Sequence, residues 1–188
     1  MSQEPSIHSF SDQEIRISRM ESIRCQINAG IKAYFLWEDY ASVVTLIGAA
    51  ERVLSDLQPQ DGLLGFDAVS LRSLINLHIK DQFAKEAAHD LRAPYDFLRH
   101  ADRNKYGEFV VHPVWVEFTM FLTTMAYQHV SHSLTKDMQI FMCWCLSKHP
   151  NWSKESSPIR SILEQTGFQA GDITKAEYYN LASQFFAQ

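Results

Sequence analysis

The side chains best suited to chemistry lie in one short segment, Arg99-His100-Ala101-Asp102-Arg103-Asn104. An imidazole can act as a general base, a carboxylate can orient it, and guanidinium groups can hold an anion. This set would suit a hydrolase in which Arg99, His100, Asp102 and Arg103 share one cleft. We prefer the structural interpretation, because Arg and His near the end of a helix interact favourably with its dipole and its unpaired carbonyls.

A second, weaker catalytic candidate is the pair Arg72 and His78, which have five residues between them. This spacing is similar to that of HEPN-type ribonucleases, in which an Arg and a His would polarise a phosphodiester. In those proteins the residue after the arginine is usually polar and often Asn, Asp or His, whereas here it is Ser73. The pattern is short and is expected often by chance.

His129 and His132 are three residues apart, which places both imidazoles on one face if the segment is helical. Such a pair is a weak candidate for metal binding, because a complete site needs a third ligand and the spacing identifies none. The preferred interpretation is a helix end that enters a serine-rich turn. We therefore expect no metal.

The sequence has none of the motifs that identify the common cofactor-dependent and hydrolytic enzyme classes. It contains no phosphate-binding glycine loop, no dinucleotide fingerprint, no zinc-protease motif and no nucleophile elbow. We therefore expect no cofactor.

The three cysteines, Cys25, Cys143 and Cys145, do not form a disulfide framework. The last two lie in an apolar run and point to different faces of a helix, which favours buried and inert thiols. Their number and setting predict a reducing, cytoplasmic environment.

Charge and hydropathy exclude two further classes of partner. The chain has 17 Lys and Arg against 22 Asp and Glu, a net charge of -5, so non-specific binding to nucleic acid is not expected. The first residues do not resemble a signal peptide. The uncharged stretch 118–135 carries too many polar side chains in its second half to span a membrane, and it predicts a buried helix.

Helical signals cover most of the chain. Capping boxes occur at 11–14 and 174–177, and apolar residues recur every three or four positions after the first box. Gly30 predicts a close helix crossing, and residues 37–39 predict a break. Pro94 predicts that one helix ends near Leu91 and another begins at about Ala93.

Later boundaries are predicted at Pro113, which should open a helix, at Thr135, which should cap the next, and at His149-Pro150, which should stop it. Trp115, Phe118, Phe121 and Tyr127 have helical spacing, which is more typical of core residues than of a binding site.

The predicted fold is all-α, a compact single-domain array of about six to eight helices. Residues 1–10 are expected to form a flexible tail and 11–188 one helical domain. Within it, 12–150 would form the core and 158–187 a C-terminal helical extension.

Three separated segments carry a family resemblance. Residues 31–57, 96–104 and 144–150 resemble an uncharacterised family of small bacterial all-helical proteins, whose central motif reads N-F-F-K-H-A-D-R-D-P. The resemblance covers about residues 26–150 and implies a helical fold and a site at His100. Two departures are visible: Val44 stands where the family has a histidine, and Asn104-Lys105 replaces Asp-Pro. A member without that histidine would lose any activity that depends on it.

Two functions remain open. The favoured one is a soluble cytoplasmic interaction or regulatory module, whose partner is another protein or a second copy of the chain. It would be supported by an exposed apolar patch. The alternative is a HEPN-like ribonuclease or another hydrolase that uses the Arg99, His100, Asp102 and Arg103 cluster.

Overall fold

The computed structural model describes residues 15–57, 81–100, 106–150 and 173–186. These residues form six α-helices and one π-helical turn, without a strand among them, so the predicted all-α fold is confirmed. In chain order the elements are α1 (Arg19–Lys32), the π-turn (Ala33–Trp37), α2 (Tyr40–Asp56), α3 (Asp81–Arg99), α4 (Pro113–Ser131), α5 (Lys136–Lys148) and α6 (Lys175–Phe185).

Helix α1 begins at Arg19, which is later than the start that the capping box at 11–14 predicted. That box lies outside the described residues, and residues 15–18 are not helical. The cap is Ser18, whose hydroxyl accepts the backbone N–H of Glu21 at 3.1 Å. Ser18 and Glu21 repeat the same spacing seven residues further on. This Ser18 cap directly precedes the buried stripe that begins at Ile23, while the Glu21 carboxylate accepts from Arg24 rather than completing a capping box.

The predicted break at 37–39 is confirmed. The π-turn ends at Glu38, which is left-handed with φ 49°, and Asp39 caps α2 by accepting the N–H of Ser42 at 3.1 Å. The close crossing predicted at Gly30 is confirmed as well. A Cβ there would lie 3.0 Å from Cδ1 of Ile47 on α2.

The prediction of two helices around Pro94 is wrong, because α3 runs unbroken through it. Proline removes one backbone hydrogen bond and normally breaks or kinks a helix. Here contacts with α2 hold both sides of Pro94: Arg92 pairs with Glu51 at 2.8 Å, and the ring of Tyr95 packs on Gly48. Two tertiary anchors thus offset the lost bond.

The remaining predicted boundaries are confirmed. Pro113 is the first residue of α4, Thr135 caps α5 by accepting the N–H of Met138, and His149 ends α5. The box at 174–177 is complete, with Thr174 and Glu177 bonding reciprocally at the start of α6.

The core is rich in aromatic rings. Phe35 of the π-turn contacts Trp144 and Tyr178 with ring centroids 5.5 and 6.1 Å apart, which joins the π-turn to α5 and α6. Cys143 and Cys145 are buried, as predicted, and burial raises the pKa of the Cys143 thiol to about 11. None of the helices in the described ranges has the length and apolarity required to cross a membrane.

Candidate functional site

A pocket of about 300 Å³ opens between α2, α3 and α4. Its walls are mainly apolar, and residues 109–112, which directly precede α4, form one side. This volume lies at the lower end of the range for small-molecule sites. The apolar lining comprises Val43, Val44, Ile47, Leu91, Ala93, Pro94, Phe109, Val110, Val111, Val116 and Met120.

An ion pair stands among these apolar residues. Glu51 of α2 is only 7% exposed, and its Oε1 accepts hydrogen bonds from Arg92 Nη2 and from Ser55 Oγ, both at 2.8 Å. Both Glu51 and Arg92 line the pocket. A charge this deep is retained only when it is paired, so the pair fixes α3 against α2 at this level.

The same two helices touch closely one turn away. Gly48 faces Tyr95, and a Cβ on Gly48 would lie 2.4 Å from the Cγ and Cδ2 atoms of that ring. Only glycine therefore allows Tyr95 to lie flat against α2. This contact places the tyrosine ring in the pocket wall.

The rim of the pocket consists of exposed apolar side chains. Phe109 is 40% exposed, Trp115 51% and Val110 77%, and all three line the pocket. Tyr106 and Val114 extend the exposed apolar surface beyond it. We call Tyr106, Phe109, Val110, Val114 and Trp115 the apolar rim.

The prediction that the aromatic residues of α4 belong to the core is wrong for Trp115. Phe121 and Tyr127 are buried and Phe118 is partly buried, whereas Trp115 lies in the first turn of α4 beyond the edge of the core. Helical spacing alone cannot reveal where along its length a helix leaves the core.

Of the predicted cluster Arg99, His100, Asp102 and Arg103, the described part of the chain places only Arg99 in the pocket wall. Arg99 lines the pocket, but His100, which follows the last residue of α3 and is partly buried, is not among its lining residues. The backbone N–H of His100 bonds to the carbonyl of Asp96, as expected at a helix end. Asp102 and Arg103, and also Arg72 and His78, lie outside the described residues.

The histidine pair lies where α4 ends and enters the turn with Ser131 and Ser133, as the preferred interpretation predicted. His129 lies in the last turn of α4, but His132 is left-handed, with φ 56°, and ends the helix. The two imidazoles therefore do not share a helix face. In the described part of the chain, no group of three or more metal-binding side chains is found.

A second polar cluster lies in the core, and the sequence analysis missed it. Glu117 of α4 is buried, accepts the hydroxyl of Tyr34, and lies 2.8 Å from Nε2 of His149. Trp144 donates its indole N–H to Tyr34 Oη at 3.2 Å. Burial, together with the Glu117 carboxylate, holds the pKa of Tyr34 well above its usual range. The cluster joins the π-turn, α4 and α5 inside the core.

Sequence signals for the missed residues do exist. Glu51 lies four residues after Ile47 and three before Leu54, so it occupies a position on the apolar stripe of α2. Glu117 is the only acidic or basic residue of α4 apart from histidine. An acid at an apolar position predicts a buried partner, although not which one.

Comparison of the chain with family models, curated proteins and solved structures gives no match. The resemblance to a bacterial helical family therefore stays a prediction. What the pocket does has to be argued from its own geometry.

Proposed function

We propose that this protein is a non-enzymatic helical interaction module with a regulatory role, which binds a ligand in the pocket between α2, α3 and α4. The observation that carries the proposal is the continuity of the pocket with the apolar rim. Phe109, Val110 and Trp115 belong to both, so a ligand in the pocket touches the surface that a partner would cover.

The rim is the proposed docking surface, and its partner is another protein or a second copy of the chain. Large apolar side chains that stay exposed beside a pocket are typical of interaction surfaces. A cytoplasmic location belongs to this proposal, and the free cysteines Cys25, Cys143 and Cys145 support it.

The hydrolase alternative has less support. It requires Arg99 and His100 to face one cleft, and the pocket is lined by Arg99 but not by His100. Turnover of RNA that is lost on His100→Ala, with the fold retained, would favour this alternative.

Ligand binding can be tested with the neutral fluorescent dye Nile red, whose emission rises in an apolar pocket. We expect saturable binding to the wild-type protein and loss of binding in Ala93→Trp, because this substitution fills the pocket from α3. Val130→Trp is the matched control, since Val130 is exposed on α4 and does not line the pocket.

Circular dichroism melting would show whether each variant folds, and Thr119→Trp offers a second block from the α4 side. Equal dye binding by wild-type and folded blocked variants would contradict the proposal. Sedimentation over a range of concentrations, with Val110→Lys as the rim variant, would decide whether a second copy is the partner.

A further inference from the structure

The carboxylate of Glu51 is only partly used by the protein. Its Oε1 accepts a hydrogen bond from Arg92 and another from Ser55. Among the described residues, no donor reaches Oε2. Since Glu51 is 7% exposed and lines the pocket, the second oxygen is left to whatever occupies that pocket. Oε2 is not one of the fully buried atoms, so it is open to the pocket, where an acceptor without a protein donor is a point of recognition for a ligand that brings one.

Arg92 is also only partly used. A guanidinium carries five N–H donors in a planar fork, and here Nη2 alone is engaged, by Glu51. In the described ranges no acceptor meets its other N–H groups, and its side chain is 35% exposed. The pocket therefore offers a hydrogen-bond acceptor and hydrogen-bond donors side by side, held together by a contact of 2.8 Å.

Resting on the proposed function, we infer that the ligand is a small amphipathic molecule with an apolar, aromatic body and an uncharged polar end like that of a carboxamide. Its N–H would donate to Glu51 Oε2, and its carbonyl would accept from Arg92. The aromatic body would lie against Tyr95, Trp115 and Met120 in the pocket wall. A planar amide has its donor and acceptor next to each other, as this ion pair requires.

Charged polar ends fit this pair less well. A carboxylate has no donor and would meet the negative charge of Glu51, whereas an ammonium has no acceptor and would meet Arg92. The other charges at the pocket offset one another. Nε of Arg52 lies 3.6 Å from Oδ2 of Asp56. Asp96 and Arg99, which have opposite charges, lie three residues apart on α3 and both line the pocket. The pocket therefore selects for paired donor and acceptor groups rather than for net charge.

The test uses three probes with one aromatic body: naphthylacetamide, naphthylacetate and naphthylethylamine. Each is titrated into the full chain, and the backbone amide resonance of Gly48 in the pocket wall reports binding by NMR. We expect the amide to bind at least about tenfold more tightly than either charged probe, because each of these leaves either Glu51 Oε2 or Arg92 without a partner and brings a like charge close to it.

Glu51→Gln provides the decisive variant. The glutamine oxygen still accepts from Arg92, but its NH₂ group replaces the free acceptor with a donor. We expect the preference to move from the amide to naphthylacetate. Ser55→Ala is the matched control, because it removes a bond to Oε1 and leaves Oε2 unchanged, so the amide should stay preferred.

The outcomes separate the two proposals. Tightest binding of a charged probe to the wild-type protein, or the same order of affinities in Glu51→Gln, would overturn this inference and leave the pocket as a binding site. No shift of Gly48 with any of the probes would overturn the proposed function together with the inference.

Discussion

Gly48→Ala should destabilise the protein, although alanine is the better helix former. Gly48 lies inside α2, and a Cβ at this position would be 2.4 Å from Cγ and 2.7 Å from Cβ of Tyr95. Rotation about the Cα–Cβ bond of Tyr95 can move Cγ but not Cβ, so a change of rotamer alone cannot relieve the clash. Relief requires α3 to shift away from α2.

Two opposing terms set the size of the effect. Overpacking in a well-packed contact costs about 1–3 kcal/mol. Replacing glycine by alanine within a helix gains about 1 kcal/mol. Because the contact is so short, we expect the upper part of the first range and a net loss of about 1–2 kcal/mol. For a chain of this length, this loss lowers the melting temperature by about 2–8 °C.

The assay is thermal unfolding followed by circular dichroism, with Tyr95→Gly as a second background, because alanine would keep the Cβ that lies 2.7 Å away. Without the ring and its Cβ, Gly48→Ala should raise the melting temperature, so the sign of the effect reverses. Gly30→Ala is the matched comparison: its Cβ would lie 3.0 Å from Cδ1 and 3.1 Å from Cγ1 of Ile47, atoms that a change of rotamer can move, so any loss of stability should be smaller than at Gly48. A higher melting temperature for Gly48→Ala in the wild-type background would refute the reasoning.

Three further predictions concern titration, capping and reactivity. Because the pKa of Tyr34 is raised on folding, the folded state keeps the phenol proton above pH 10, where the unfolded state loses it. The free energy of unfolding should therefore fall as the pH rises beyond 10. In urea unfolding, Tyr34→Phe should show a smaller fall over the same pH range. An equal fall in both proteins would count against this. Thr174→Ala should cost about 1 kcal/mol through loss of the cap of α6, seen as a melting temperature about 2–4 °C lower; an unchanged value would show that the cap does not limit stability. Iodoacetamide at neutral pH should modify exposed Cys25 in the native protein and spare Cys143 and Cys145, as read by mass spectrometry of peptides; equal labelling of all three would contradict their burial.

The helices themselves were predictable because their signals are local. Thr135 and the box at 174–177 act through hydrogen bonds within one turn, and the sequence shows both partners. Pro94 failed as a boundary because the contacts that hold α3 together come from α2, more than forty residues earlier. No local pattern contains that information.

The candidate site was only partly predictable for the same reason. Arg99 was identified because it belongs to a dense polar segment, and it does line the pocket. Glu51 carries a signal, because it occupies the apolar stripe of α2, but nothing in the sequence points to Arg92 as its partner. Their importance comes from a contact between helices, which requires knowing how α2 and α3 pack.

Because of the π-turn, the number of residues between α1 and α2 matters to the core as much as their identity does. A π-turn takes up one residue more than an α-helical turn, and deleting any residue from Ala33–Trp37 would restore a regular α-helix. Side chains before and after the turn would keep nearly the same directions, because four α-helical residues turn the chain by about as much as five π-helical ones. The change would fall on the side chains of the turn itself, where four positions would replace five. Tyr34 and Phe35 could no longer both enter the core, and the buried carboxylate of Glu117 would lose its hydroxyl donor. Chains that share this fold should therefore vary more readily in side chain than in length between Ile31 and Asp39.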